Sequence, residues 1–147
     1  MKLFTIGFTR TTAEDFFGKL RVAGIARVID TRIHRDGQLS GFAKMPDLEY
    51  FLTKLTASAY ESSPDLMPTA ELLKAYRDKV LSWEQYSKSY LNLLRERRPE
   101  EGYVSGGLDR ACLLCSEHEP NRCHRRLAAE YLRDVLGGQT VVEITHL

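Results

Sequence analysis

Residues 110–116 read RACLLCS. Five apolar side chains in a row, at 111–115, leave no polar face, and the run is too short for a helix of ordinary length. A strand of this kind belongs in the middle of a sheet covered on both sides, as parallel sheets of α/β proteins are. It is the most apolar strand candidate in the chain, and a central position is expected for it.

The flanking segments fit that demand. Residues 2–8 (KLFTIGF) and 27–32 (RVIDTR) read as strands. Between them, Thr11 and Glu14 form a capping box, Phe16, Phe17, Leu20 and Ala23 give one buried helical face, and Gly24 ends the helix. Short connections make a right-handed parallel crossover the default for this unit. Residues 57–63 read as a third strand and 140–146 (TVVEITH) as the last. Further helices are predicted from Asp47, with Leu48, Phe51, Leu52 and Leu55 inward, and from near Thr69, with Leu72, Leu73, Tyr76 and Val80. One more covers 83–97, with Trp83, Tyr86, Tyr90, Leu93 and Leu94. The last follows Asn121, carries Leu127, Ala128, Tyr131, Leu132 and Val135, and stops at Gly137-Gly138.

Two stretches lack a period. Residues 33–46 (IHRDGQLSGFAKMP) form a long loop, and long loops in compact domains often carry function. Residues 98–109 hold Pro99, Gly102, Gly106 and Gly107 and read as a mobile connection. With no repeat and no linker, residues 1–147 are read as a single α/β domain. The expected architecture is a three-layer α/β/α sandwich with a Rossmann-like, mostly parallel sheet of about five strands.

Composition removes several functions. The net charge of +1 argues against a general polyanion binder and gives no strong nucleic-acid signal. The opening MKLFTIGF is too short for a signal peptide, and no stretch approaches a membrane span. Three cysteines without scaffold spacing are expected as free thiols in a cytoplasmic protein.

Open parallel sheets bind ligands outside the carboxyl ends of their strands. Three such ends are polar here: Thr9 and Arg10; Asp30, Thr31 and Arg32; Cys115, Ser116 and Glu117. The fold is expected to gather them into one crevice. The last helix starts at the same end and offers free N–H groups and a positive dipole end to an anion. Arg122, Arg125 and Arg126 add charge there. Glu117, Glu119 and Asp30 are internal partners for those arginines, so a purely structural ion-pair network stands beside the ligand site as a reading.

The cysteines divide. Cys112 and Cys115 are three apart on a strand and point to opposite faces, which disfavours a zinc knuckle or a thioredoxin motif. Cys112 is then a buried hydrophobe. Cys115 and Glu117, two apart, share a face. Cys123, beside a helix start and between Arg and His, is a candidate nucleophile, with a packed structural thiol as the alternative. Metal ligation by Cys115, Cys123, His124 and Glu117 is a further option, although adjacent Cys and His are expected to splay apart and the spacing matches no common zinc site. A phosphatase-like loop from Cys115 to Arg122 has one residue too many, and Glu117 and Glu119 would repel a phosphate.

On the long loop, His34, Arg35, Phe42 and Lys44 suit a flat anionic ligand, or are simply solvated. Arg95, Arg97 and Arg98 are read as helix-end cations. Tyr76, Trp83, Tyr86 and Tyr90 are read as core or as a dimer face.

The strand TIGFT, the helix AEDFF, the strand VIDTR, the loop QLSGFAK and the stretch CSEHEPNRCHRRLAAEYL together resemble the domain of unknown function 488 family. The most specific part is C-x-E, then Pro, then C-H-R, met by Cys115, Glu117, Pro120, Cys123, His124 and Arg125. The D-x-R of Asp30 and Arg32 matches a second motif. Phe8 stands where many relatives have His, as in a shorter branch of the family in which GFT is usual. The resemblance implies a small cytosolic α/β protein and implies no activity.

The expected function is binding of an anionic small molecule, such as a nucleotide or a nucleic-acid-derived group, with chemistry on it left open. Arg32 and Arg125 would hold the anion, with Thr9, Arg10 and Lys44 completing the ligand shell. Asp30 and Glu117 would orient the arginines or exchange protons, His124 would shuttle a proton, and Cys115 or Cys123 would be the nucleophile. Two alternatives remain. One is a non-catalytic interaction module with Phe4, Phe8 and the tyrosine-rich helix as its partner face. The other is a metal-dependent enzyme. No cofactor follows from the sequence, and a homodimer stays open.

Overall fold

The structure, a computed structural model, describes residues 1–37, 40–103 and 107–147. Gln38 and Leu39 of the predicted long loop, and Val104, Ser105 and Gly106 of the predicted connection, lie outside the described residues.

Among the described residues, five strands form one parallel sheet: β1 (Lys2–Gly7), β2 (Arg27–Asp30), β3 (Ala59–Ser62), β4 (Ala111–Cys115) and β5 (Glu143–His146). Their order is β3-β2-β4-β1-β5. The apolar run ACLLC is the central strand, as expected, pairing with β1 on one side and β2 on the other. Burial explains the placement, since every residue of β4 is buried.

Among the described residues, five α-helices cover the two faces: α1 (Ala13–Val22), α2 (Asp47–Leu55), α3 (Ala70–Arg77), α4 (Trp83–Arg97) and α5 (His124–Leu136). Strand alternation sorts the core. Phe4, Ile6, Val28, Cys112 and Leu114 point toward Phe16, Phe17 and Leu20 of α1 and Leu48 and Leu52 of α2. Leu3, Ile29, Ala111 and Leu113 point the other way, toward Tyr86, Tyr90 and Leu94 of α4 and Leu127, Ala128 and Leu132 of α5. This is a three-layer, Rossmann-like α/β arrangement.

The first helix is capped one residue later than predicted. Thr12 is the N-cap and accepts from the Asp15 amide at 3.1 Å, so Thr11 and Glu14 do not form the box. The capping box occurs instead on α4, between Ser82 and Gln85. The predicted connection at 98–109 begins with a 3-10 turn, Pro99–Tyr103. Its Tyr103 is buried; its hydroxyl donates to Glu61 at 3.0 Å and accepts from the Ser63 hydroxyl at 3.1 Å. No helix among the described residues is long and apolar enough to cross a membrane.

Strand β2 leaves toward α2 on one face, and its neighbour β4 leaves toward α5 on the other. Connections that part in this way open a crevice between the carboxyl ends of the two strands, the switch point at which α/β sheets bind ligands.

Candidate functional site

A pocket opens at this switch point. Arg32, Ile33 and His34 line it from the end of β2, and Cys115, Ser116 and Glu117 from the end of β4. The start of α5 contributes Arg122, Cys123 and His124, and Leu73, Tyr76, Arg77 and Tyr86 close it from α3 and α4.

Its floor is a cluster of Cys115, Cys123 and His124, all buried, with one ligand atom from each lying within 4.8 Å of the others. The expected splaying of Cys123 and His124 does not occur. Cys123 is the N-cap of α5 and has extended backbone, φ −131 and ψ 137, while His124 is the first helical residue. The change of backbone direction between them lets adjacent side chains converge.

The Cys115 Sγ lies 3.7 Å from His124 Nδ1. On the other side of the ring, His124 Nε2 is 3.0 Å from the Thr31 carbonyl oxygen and 3.0 Å from its hydroxyl. The Thr31 hydroxyl donates to the Leu114 carbonyl at 2.8 Å, so it accepts from the ring and Nε2 carries a proton. Nδ1 is left to face the sulfur. Tyr90 packs edge-on against the imidazole, with centroids 5.5 Å apart.

The hydrogen bond from Cys123 holds the Cys115 thiol well below its ordinary value against the opposing effect of burial, and His124 adds to the lowering. Cys123, as the donor, is pushed well above its own, by that bond first and then by burial. Burial pulls His124 down, but the charge of Cys115 and its hydrogen bond outweigh it, and the imidazole ends above its ordinary value. Cys112 lies on the other face of the sheet and burial pushes its thiol far up, as befits an inert packed cysteine.

Arg125 is buried beneath the loop that follows β4. Its NH1 donates to the Glu117 carbonyl and, at 3.4 Å, to Cys123 Sγ; NH2 donates to the His118 carbonyl at 3.0 Å, and Nε to Thr5 Oγ1 at 3.4 Å. The guanidinium is a brace for the loop. Gly7 completes the seat, because a Cβ there would overlap the Glu117 carbonyl. Thr9 ties the same loop down, its hydroxyl donating to the Ser116 carbonyl at 2.9 Å.

Asp30 and Arg32 form a closed unit. Asp30 is fully buried and accepts from Arg32 Nε at 2.9 Å and NH2 at 2.8 Å, while Arg32 NH1 donates to the Ala43 carbonyl at 2.8 Å. The Tyr60 hydroxyl donates to Asp30 at 2.9 Å, and the Arg32 guanidinium lies over the Phe8 ring, 5.1 Å from its centroid.

The strand ends are therefore only partly gathered. Cys115, Glu117, Cys123, His124 and Arg32 border the pocket, whereas Thr9, Arg10, Asp30, Lys44 and Arg125 are not among its lining residues. Glu117 is exposed at the edge of the pocket. Phe42 is half-buried against Phe16 and Phe17 and does not line the pocket. Phe4 and Phe8, the proposed partner face, are buried, as are Tyr86 and Tyr90.

Arg77 was missed from the sequence. The signal was present, since Leu73, Tyr76 and Arg77 stand at i, i+3 and i+4 and share one helix face. Arg77, Arg122 and His34 are exposed at the pocket rim, where Glu117 is the only carboxylate among the described lining residues.

Fold and site together define a class: a Rossmann-like α/β protein with a buried cysteine–histidine cluster at the switch point of its sheet. The model of the family described as domain of unknown function DUF488 matches residues 12–132, and the chain belongs to that family. The match spans the cluster and the Asp30–Arg32 unit. Searches of curated proteins and of solved structures returned no match.

Proposed function

We propose that the protein binds an anionic small molecule in the switch-point pocket and acts on it at the cluster of Cys115, Cys123 and His124. The observation that carries this reading is the pocket's construction. A buried cluster of two thiols and an imidazole forms the floor, and Arg77, Arg122 and His34 surround the mouth. The N-terminal end of α5 adds its dipole at the same place. A nucleotide or another phosphate-bearing group fits the charge, with its anionic part inward and its body over His34 and Tyr76.

The roles differ from those expected of the motif. Arg77 and Arg122 hold the anion. Arg125 and Arg32 use their donors within the protein and shape the site instead. Glu117 stands at the rim as the acid–base group, and Cys115, Cys123 and His124 form the floor beneath the bound molecule. Thr9 anchors the loop, and Arg10 and Lys44 are left outside the ligand shell.

A thermal-shift panel of nucleotides, nucleosides, inorganic phosphate and polyphosphates tests the reading. A ligand at a hundred times its dissociation constant adds roughly 2.7 kcal/mol of stability. The expected hit is lost in Arg122→Ala and in Arg77→Ala. A panel without any hit, or a hit indifferent to both substitutions, removes the proposal.

A further inference from the structure

The cluster has the make-up of a metal site, and we propose that Cys115 Sγ, Cys123 Sγ and His124 Nδ1 bind a thiophilic divalent ion of the zinc class, with the fourth position open to the pocket. The open position rests on the reading of that pocket as a ligand site; the three ligands do not.

Distances come first. Tetrahedral zinc, with bonds of about 2.3 Å to sulfur and about 2.0 Å to nitrogen, sets its ligand atoms roughly 3.5–3.8 Å apart. Here Cys115 Sγ and His124 Nδ1 are 3.7 Å apart, and all three ligand atoms fall within 4.8 Å. Small side-chain rotations close what remains.

The surroundings provide a second, independent argument. A metal-binding histidine usually donates its other ring N–H to a backbone carbonyl or a carboxylate, which fixes tautomer and orientation. His124 does this with Nε2 toward Thr31, leaving the Nδ1 lone pair aimed at the sulfurs. Cys123 also has a donor suited to a thiolate, Arg125 NH1 at 3.4 Å. Two thiolates neutralise a divalent ion, so the buried site carries no net charge.

The ligand set selects the ion. Two sulfurs and an imidazole favour zinc or cobalt over the oxygen-seeking magnesium and calcium. Three protein ligands beside a cavity match the catalytic type of zinc site, whereas structural sites close the fourth position with protein. Binding displaces to solvent whatever protons the three ligands hold, and no electrons are transferred. The anion of the proposed function would then complete the coordination, with Arg77 and Arg122 holding its outer charge.

Cobalt(II) gives a direct test. Protein prepared without oxygen under reducing conditions is stripped with a chelator, freed of it and titrated with Co(II). The expected result is one equivalent bound, with the visible bands of a four-coordinate ion and a near-ultraviolet thiolate-to-cobalt band, both bleached by Zn(II). Cys115→Ser and Cys123→Ser should each weaken the thiolate band. Cys112→Ala, altered on the other face of the sheet, should retain it and controls for general damage. Azide should shift the visible bands by taking the fourth position. Folded wild-type protein without a thiolate band, or an undiminished band in both Ser variants, overturns the site. A band that azide leaves unmoved overturns the open position. Stabilisation of metal-free protein by an anion, with no cobalt band, overturns the metal site and leaves the proposed function standing. A cobalt band in a protein indifferent to every anion does the reverse.

Discussion

The Nδ1 of His124 lies 3.7 Å from the Sγ of Cys115, although the two residues belong to different elements. Cys115 ends the central strand and His124 opens the helix that returns over it. The eight residues between them must fold back tightly, and Arg125 holds that fold by donating to two successive carbonyls, those of Glu117 and His118.

Arg125→Ala should therefore act on stability. It leaves the part-buried Glu117 and His118 carbonyls without their donor and empties the space beneath the loop, at a cost of roughly 3 kcal/mol. Urea unfolding checks this. Lysine at 125 should restore little, because a single ammonium cannot serve acceptors on both sides of the fork. Unchanged stability with lost ligand binding would instead make Arg125 an anion holder.

Gly7→Ala should damage the same loop from the other side. The new methyl overlaps the Glu117 carbonyl, which must move. A cost of about 2 kcal/mol is expected, in the range of overpacked cores. Faster alkylation of Cys115 by iodoacetamide should accompany it, read by mass spectrometry of the peptide.

Asp30→Asn should be among the more disruptive substitutions. It strands the Arg32 guanidinium, only 4% exposed, without its carboxylate. Breaking one side of a buried pair costs roughly 3–5 kcal/mol. Adding Arg32→Met should recover part of the loss in urea unfolding; a double variant as weak as the single one would show that the pair is not the cause.

Arg122→Ala should separate binding from folding. Arg122 is exposed at the pocket rim, so stability should stay within about 0.5 kcal/mol. The thermal shift given by the anionic ligand should fall away.

Alkaline pH should unfold the protein through its buried tyrosines. Burial is the main cause that pushes Tyr103 and Tyr131 each to about 12. A phenol whose folded pKa is raised contributes fully below its unfolded value of about 10, and the contribution is lost as pH climbs from there to the folded value. Tyrosinate absorbance of the native protein should lag behind that of free tyrosine across this window, and helical circular dichroism should fall as it catches up.

Much of the fold is determined by local sequence. The run ACLLC cannot be solvated on either face, so it takes the centre of a covered parallel sheet. The apolar spacing of Phe16, Phe17 and Leu20, and of Tyr86, Tyr90 and Leu94, fixes which helix faces turn inward, because a side chain's direction follows from helical period alone. The richness of CSEHEPNRCHRR in reactive groups was equally visible, as was its place at a strand end.

The roles within that stretch were decided by tertiary structure. Charge and residue type make Arg32 and Arg125 look like anion holders, yet Arg32 is turned onto Asp30 and Arg125 onto the Glu117 and His118 carbonyls. Adjacent Cys123 and His124 were expected to diverge, and the helix boundary falling between them makes them converge. Arg77 joins the pocket from a helix that sequence alone does not place beside β4. Local sequence sets the direction of a side chain along its own element, whereas which groups meet depends on how elements pack, a sum over contacts distant in the chain.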